Sequence, residues 1–269
     1  DGYFGTILPG QVGEASFPEA EMGSFRMYWL PKKDSMFLRT IDDPFSFYGA
    51  TAKLTGAANV TQKGVFGYGS LLTRGSIAES ENLSFKELTY AATHANFTVL
   101  SDDPEKPAMA GDDINLFFDL TTNTADIHPE QIGVAAISFP YAQMKTSITN
   151  ATWFLEDSVI TMTKPEDVSL QDTYFYSIRP ELDSLAFNAE KAIYDIKSYE
   201  LNVQGIPYIF AADAKIVPEG NETTILANSK LQTFTNAEII FQYPEAYHYL
   251  SKGVIDIQSS KSFSGSAVY

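Results

Sequence analysis

The chain is built from short segments of β-type sequence separated by turns, and this pattern recurs with variation. Three stretches follow it: Ile114–Ile127, Ala151–Met162 and Ala189–Val203. Each contains two runs rich in apolar, aromatic or β-branched residues, joined by a turn. Units of this kind bury their apolar faces only by packing on their neighbours. The pattern therefore favours a scaffold or conduit of stacked β-units over a fold built around one catalytic pocket.

The remaining sequence also favours strands. Alternation of apolar and polar residues recurs in Leu201–Ile206 and Tyr208–Val217, and turn residues separate such runs. The two best helical candidates, Leu83–Ala92 and Leu182–Ala192, fit strand-turn-strand equally well. We therefore predict an all-β fold, either a stacked β-solenoid or an open β-jellyroll of short antiparallel rungs.

The length of 269 residues and the 44% hydrophobic content allow a sizeable core. We predict one elongated all-β repeat domain over residues 1–269, with a soft boundary near residues 165–180. The chain begins at Asp1, and its last segment, Ser262–Tyr269, stops within an alternating pattern. We therefore expect the sequence to be a piece of a longer chain.

Charge and composition exclude several classes of function. The chain has 18 Lys and Arg against 34 Asp and Glu, a net charge of −16, which disfavours nucleic acid and anionic lipid headgroups as partners. It contains no cysteine, so disulfides, thiolate metal sites and cysteine nucleophiles are excluded. No apolar run is long enough for a transmembrane helix.

No motif in the sequence predicts a catalytic residue, a bound cofactor or a metal site. The three histidines, His94, His128 and His248, are far apart and lack partners at the spacing of a metal site or a catalytic triad. The glycine-rich segment Gly64–Ser70 has the order Gly-x-x-Gly-x-Gly without a following Lys-Ser or Lys-Thr. We predict that it is a strand whose glycines let Phe66 and Tyr68 pack on a neighbouring rung.

Pairs of adjacent acidic residues recur along the chain. They are Asp42-Asp43, Asp102-Asp103, Asp112-Asp113, Glu156-Asp157 and Glu166-Asp167. Such pairs can cap strand ends and keep edge strands apart, can bind calcium in turns, or can serve glycoside hydrolysis when two carboxylates face each other. The first role is the one we expect.

Aromatic residues make up 13% of the chain. Six lie in alternating strand contexts and are predicted to be core residues: Phe45, Phe47, Phe117, Trp153, Tyr194 and Phe210. Two further stretches, Tyr174–Arg179 and Tyr243–Tyr249, are candidates for an exposed aromatic patch that would bind carbohydrate.

Two resemblances to known families accompany these patterns. The stretch Ala189–Gly205 resembles the repeat of lipopolysaccharide-transport periplasmic proteins of the OstA type. The stretches Ser24–Met36, Ile137–Ser147 and Gly205–Ile216 look like segments of large, uncharacterised exported proteins of Bacteroidota. The first resemblance implies stacked rungs around an apolar groove. The second implies export to the periplasm or cell surface of a Gram-negative bacterium.

Modification sites follow in part from the second resemblance. The triplet Asp-Ser-apolar occurs at Ser35, Ser158 and Ser184, and it is similar to the O-glycosylation sequence of periplasmic proteins of that phylum. Asn-x-Ser/Thr triplets, which would matter only in a eukaryotic secretory chain, occur at Asn59, Asn82, Asn96, Asn150 and Asn221.

Taken with these resemblances, the residues predict a non-enzymatic, exported envelope protein. It would act as a β-rich scaffold or as a groove for an apolar or lipid chain, with lipid or other envelope proteins as partners. Two alternatives remain open: a carbohydrate-binding or carbohydrate-active module, and a surface adhesin module whose acidic turns are stiffened by calcium.

Overall fold

The computed structural model describes residues 3–241, 245 and 247–269 of the chain, and its regular structure is almost entirely antiparallel β-strand. Helical structure in these residues is confined to short 3-10 turns, at Pro31–Lys33, Leu170–Asp172, Pro180–Leu182, Glu219–Asn221 and Ala227–Ser229. The prediction of an all-β fold of antiparallel strands is confirmed. Both stretches that also had helical character, Leu83–Ala92 and Leu182–Ala192, form strand segments joined by turns.

The chain divides into two compact units, one formed by Asp1–Pro104 and Ala110–Glu130, the other by Glu105–Met109 and Gln131–Tyr269. The strands up to residue 130 are β1 Tyr3–Ile7, β2 Gly10–Val12, β3 Ala15–Phe17, β4 Ala20–Leu30, β5 Ser35–Thr40, β6 Phe45–Phe47, β7 Ala52–Thr61, β8 Gly64–Thr73, β9 Ser76–Phe85, β10 Thr89–Val99, β11 Met109–Asp119 and β12 Thr124–Pro129.

The strands that follow residue 130 are shorter for most of the second unit. They are β13 Ile137–Phe139, β14 Met144–Thr146, β15 Asn150–Phe154, β16 Val159–Thr163, β17 Tyr174–Ser177, β18 Ala186–Asn188, β19 Lys191–Asp195, β20 Glu200–Gln204, β21 Ile209–Ala211, β22 Ala214–Val217, β23 Glu222–Leu226, β24 Lys230–Leu231, β25 Phe234–Phe241, β26 His248–Ser259 and β27 Ser262–Val268.

The first unit is a meander of long antiparallel strands in the order β4, β5, β7, β8, β9 and β10, and β1 pairs with β4. Its turns follow from local sequence. Arg74 and Gly75 connect β8 to β9 as a two-residue loop closed by Thr73 and Ser76, and both loop residues have positive φ. A two-residue hairpin loop of this hand matches the twist of the flanking strands.

The core of the first unit is aromatic. Phe47 stacks on Phe85 with ring centroids 4.3 Å apart, and Tyr90 stacks on Phe118 at 5.0 Å. The neighbouring Tyr48 hydroxyl donates a hydrogen bond to the carbonyl oxygen of Thr89 (2.9 Å), and burial raises the pKa of this phenol. Stacked rings therefore connect β6, β9, β10 and β11 inside this unit.

The glycine-rich segment Gly64–Ser70 is part of strand β8, as predicted. Its glycines permit close approach of backbones, because Gly69 lies opposite Gly56 of β7. Phe66 and Tyr68, however, lie on the face of the sheet opposite the core and are exposed. The prediction that they pack on a neighbouring rung is therefore wrong. The reason is that both side chains point to the outer face of the strand.

The second unit is formed by pairs of short strands that alternate between hydrogen-bonded ladders. One ladder joins β13, β14, β17 and β18, and a second joins β15, β16, β19, β20, β23 and β24. A third joins β21, β22, β25, β26 and β27. The chain thus changes ladder after every two strands up to β24, which is a jellyroll-like arrangement of antiparallel hairpins.

The three stretches with a similar sequence pattern each fold into a β-hairpin. The residue pairs that close their loops are Asp119 with Thr124, Phe154 with Val159, and Asp195 with Glu200. Each loop has four residues, and the last of them has positive φ in all three cases: Asn123, Ser158 and Tyr199. The similarity in sequence therefore corresponds to the same loop length and the same backbone turn.

The predicted core aromatics divide into two groups. Phe45, Phe47, Trp153 and Tyr194 are buried, as predicted. Phe117 and Phe210 were predicted to be buried, and this is wrong, because each is 42% exposed. In both cases the residues on either side are buried instead, so the side chain lies on the outer face of its strand.

Candidate functional surfaces

The interior of the second unit is filled by its own side chains. Phe139 of β13 packs against Tyr194 of β19 with ring centroids 4.6 Å apart, so side chains from two different ladders meet. The Tyr194 hydroxyl donates a hydrogen bond to the carbonyl oxygen of Ala108 (3.0 Å), and burial raises the pKa of the phenol. Leu201 and Val203 of β20 lie on the same buried face. Side chains from two ladders therefore share a buried core at this point of the second unit.

The two stretches predicted as an exposed aromatic patch differ in outcome. Within Tyr174–Arg179, Phe175 is fully buried and Tyr174 and Tyr176 are half-buried, so that stretch is not an exposed patch. Within Tyr243–Tyr249, the first residues lie outside those described, and Tyr247 and Tyr249 are exposed.

A different aromatic surface lies on the outer face of the first unit. Tyr28 of β4 is opposite Phe37 of β5, Phe37 is opposite Asn59 of β7, and Asn59 is opposite Phe66 of β8. Residues directly opposite one another share a face of the sheet, so these four side chains form a row across four strands. The three aromatic members are exposed, Tyr28 to 69%. The sequence alone does not predict this row, because the row depends on which strands pair.

The β4–β5 hairpin, which we define as Arg26–Thr40, is also apolar on its second face. Met27 and Trp29 lie there, and Trp29 is 53% exposed. The register of β1 against β4 ends at Phe25, so in the described part of the chain the strand segment 26–30 pairs only with β5. One edge of the hairpin is therefore unpaired near the tip in the described residues, while β5 pairs with β7 along the other edge.

Cationic side chains surround these apolar residues. Arg26 and Arg39 are directly opposite each other and both exposed, and Lys32 and Lys33 form the tip of the hairpin. None of the four has an ion-pair partner among the residues described. Like charges directly opposite in an antiparallel pair repel each other, so this arrangement favours an anion in contact with the hairpin.

A polar surface cavity lies in the second unit. Glu219, Glu222, Thr224 and Gln232 line it together with Asn202. Several of these groups are oriented by hydrogen bonds, including one from the Asn202 amide to the Thr224 hydroxyl (3.4 Å). Amide, hydroxyl and carboxylate groups on a cavity wall can bind polar ligands such as sugars.

The histidine at position 94 has an acidic partner that the sequence did not indicate. Its Nδ1 lies 2.8 Å from Oδ1 of Asp113, and both side chains are exposed. Hydrogen bonding to Asp113, together with the charge of that carboxylate, raises the pKa of His94. Both residues have positive φ, so the pair stands where β10 and β11 depart from regular strand geometry.

Four of the acidic pairs lie in turns, and the fifth, Asp112-Asp113, lies within β11. Across the described ranges, no three His, Asp or Glu side chains are grouped so that they could hold a metal ion. The acidic turns do not form such a group within the described ranges, and calcium binding stays a prediction.

The three serines predicted as O-glycosylation sites all lie at turns. Ser35 follows the tip of the β4–β5 hairpin and its hydroxyl donates to the carbonyl oxygen of Lys33 (3.1 Å). Ser158 is the last loop residue between β15 and β16, and Ser184 is exposed after the turn Pro180–Leu182. Their modification stays a prediction.

None of the short helical turns in the residues described is long and apolar enough to cross a membrane. Comparisons of the chain with protein-family models, with curated proteins and with solved structures found no match.

Proposed function

We propose that this chain is a non-enzymatic β-sheet scaffold of the bacterial cell envelope, with a filled interior and with its ligand contacts on outer surfaces. The observation that carries the proposal is the contact between Phe139 and Tyr194, two fully buried rings from different ladders of the second unit. In an open groove that carries an apolar chain, facing rings would be separated by the ligand. Here they touch, which supports the scaffold form of the hypothesis over the groove form.

Packing on both sides of this ring pair supports the same proposal. Tyr194 is anchored by its hydrogen bond to Ala108, and Ala192 on the same strand is fully buried. Removing water from apolar side chains stabilises a fold by about 25 cal/mol per Å². The continuous buried face therefore stabilises the unit without a ligand, as a structural protein requires. The envelope location rests on the resemblance to exported proteins.

A second candidate function, carbohydrate binding, is favoured by the polar cavity of the second unit. Glu222 and Gln232 line that cavity together with four threonines and with Phe234, a mostly buried ring. A wall that combines hydrogen-bonding groups with an aromatic side chain suits a sugar ring. In this alternative, Glu222→Gln would weaken binding of the oligosaccharide that a glycan screen identifies, and Glu200→Gln on the neighbouring strand would not.

The experiment that tests the scaffold proposal is native mass spectrometry of the chain purified under gentle conditions, followed by lipid analysis of the same sample. A scaffold predicts the mass of the protein, 29.7 kDa plus any covalent modification, with no lipid at stoichiometric ratio. One lipid molecule per chain, retained after gel filtration, would contradict the filled interior and support the groove. Hexose mass that survives denaturation would instead indicate glycosylation, and Ser35→Ala, Ser158→Ala and Ser184→Ala would locate it.

A further inference from the structure

We propose that the β4–β5 hairpin Arg26–Thr40 docks on the surface of a bilayer that contains anionic lipids. The inference goes beyond the scaffold function, because it assigns a partner to one surface of the first unit. It rests on the combination, on a single hairpin, of exposed apolar side chains and cationic side chains without an ion-pair partner in the described part of the chain.

The apolar part of the surface is unusual in its distribution. Tyr28 and Phe37 are exposed on one face of the hairpin and Met27 and Trp29 on the other. Leu30, immediately before the tip, is exposed as well. An exposed apolar patch on a single face would suit a flat protein partner, whereas apolar side chains on both faces and at the tip suit insertion of the tip into the interfacial region of a bilayer. Tyr and Trp are the residues that favour the headgroup level of a membrane.

The charge distribution on the hairpin indicates that the partner surface is negatively charged. The segment Arg26–Thr40 has four cationic side chains and one carboxylate, Asp34, in a chain whose net charge is −16. Asp34 is itself engaged by the amide of Gln62. Charges beyond about 8 to 10 Å are screened at physiological salt, so the hairpin interacts with a surface through its own cations and not through the net charge of the chain. Each exposed Lys or Arg near an anionic leaflet adds to the attraction.

The opposed arginines strengthen this argument. Arg26 and Arg39 face each other across β4 and β5 with no acidic partner among the described residues. Two like charges at opposite positions cost stability in the free protein, and phosphate groups bound near the two guanidinium groups would relieve the repulsion. Arg26 and Arg39 thus lie on the same face as Tyr28 and Phe37, and Lys32 and Lys33 add two cations at the tip.

Tryptophan fluorescence can test whether the hairpin binds vesicles. The chain contains two tryptophans, Trp29 on the hairpin and Trp153, which is 6% exposed in the second unit. In the variant Trp153→Phe, fluorescence reports on Trp29 alone. We expect its emission to shift to the blue with vesicles of phosphatidylglycerol and phosphatidylcholine, and not with phosphatidylcholine alone. Circular dichroism of the variant verifies that it is folded. The wild-type chain, assayed by vesicle flotation, gives the same comparison without the substitution.

Matched variants distinguish the contribution of the hairpin to vesicle binding from that of the rest of the molecule. Lys32→Glu with Lys33→Glu should lower the vesicle partition coefficient at least about tenfold. Trp29→Ser should lower it by roughly fivefold, through the loss of apolar burial. The control Lys53→Glu with Lys86→Glu changes the net charge equally, at two exposed lysines elsewhere in the first unit, and should have a much smaller effect.

Four results would overturn the proposal. The first is equal flotation of the wild-type chain with neutral and anionic vesicles, or none with either. The second is an unchanged partition coefficient in the tip variant. The third is a blue shift that requires no lipid and grows with protein concentration, which would assign the surface to a second copy of the chain. Soluble glycerol phosphate that binds while vesicles do not would likewise exclude a bilayer.

Discussion

Gly56 of β7 and Gly69 of β8 lie directly opposite each other, and a Cβ atom on either would lie 2.2 Å from a backbone carbonyl oxygen of the facing strand. The φ angles of both residues are positive, at 150° and 127°. No side chain can relieve such a contact, because the clashing atoms belong to the backbone. The two glycines thus permit the close approach of the strands at the centre of the first unit.

The substitution Gly69→Ala should therefore destabilise the protein by about 2 to 4 kcal/mol, since the strand must shift and the backbone is strained. Urea unfolding followed by circular dichroism measures this change. Gly23→Ala is the control, because a Cβ atom there meets nothing within 4 Å and its φ is not in the positive range. Equal stability of the two variants would show that the two strands are not as close as described.

Tyr194 offers a second test, now of the packing of the second unit. Tyr194→Phe removes only the hydroxyl that donates to Ala108 and should cost about 1 kcal/mol. Tyr194→Ala also removes the ring that packs against Phe139 and should cost about 3 to 5 kcal/mol. Phe210→Ala is the control, because that ring lies on the outer face of its strand and should cost much less. A small loss for Tyr194→Ala would mean that the interior is not filled.

The hydrogen bonds that Asp195 accepts predict that the stability of the fold decreases at low pH. Its Oδ1 accepts hydrogen bonds from the backbone N–H groups of Ser198 (2.9 Å) and Lys197 (2.8 Å), and these bonds lower the pKa of the carboxyl group. A carboxyl whose pKa is lower in the folded state stabilises the fold above its unfolded pKa of about 3.9. That contribution is lost as the pH falls through the lower, folded pKa.

Asp195→Asn keeps an oxygen acceptor but removes the charge, so it should lose the charge-dependent part of the stability at pH 7 and match the wild-type chain near pH 2. Asp195→Ala loses the acceptor and should cost up to about 1 kcal/mol at pH 7. Urea unfolding between pH 2 and pH 7 distinguishes the two variants. Identical pH profiles for the wild-type chain and Asp195→Asn would show that the carboxylate does not cap the loop.

The pair of His94 and Asp113 predicts the opposite dependence of stability on pH. The pKa of His94 is raised in the folded state, so the pair stabilises the fold below the unfolded pKa of about 6.5, and this stabilisation is lost as the pH rises through the folded pKa. NMR titration of the histidine ring should give a pKa above that of the unfolded chain. Asp113→Asn should bring it back towards the ordinary value. An unchanged pKa in Asp113→Asn would exclude the contact.

The sequence predicted the class of the fold because the information lies in local patterns. Alternation and turn residues specify that Leu201 and Val203 are buried and that Asp195 begins a loop, and both features are present. The local pattern alone does not determine which side chains of some strands face the core. Phe117 and Phe118 are adjacent aromatics, and only the partner strand determines that Phe118 faces the core and Phe117 the solvent.

The candidate surfaces were harder to predict, because they depend on which strands are neighbours. Tyr28 and Phe66 are distant in sequence and belong to one row only through the order β4, β5, β7 and β8. His94 and Asp113 likewise meet because β10 and β11 both depart from regular geometry there. The sequence signal that was available is the segment Trp29-Leu30-Pro31-Lys32-Lys33, where apolar and cationic residues adjoin a turn.

The central claim, that the second unit has a filled interior, is tested most directly by thiol accessibility in this cysteine-free chain. Val203→Cys places a single thiol on the buried face of β20, and Glu200→Cys places one on an exposed position of the same strand. We predict that the thiol at position 200 reacts fully with a small maleimide in the native protein, while the thiol at position 203 reacts only on unfolding. Rapid native reaction at position 203, in a variant that remains folded, would contradict the scaffold account and indicate an open groove.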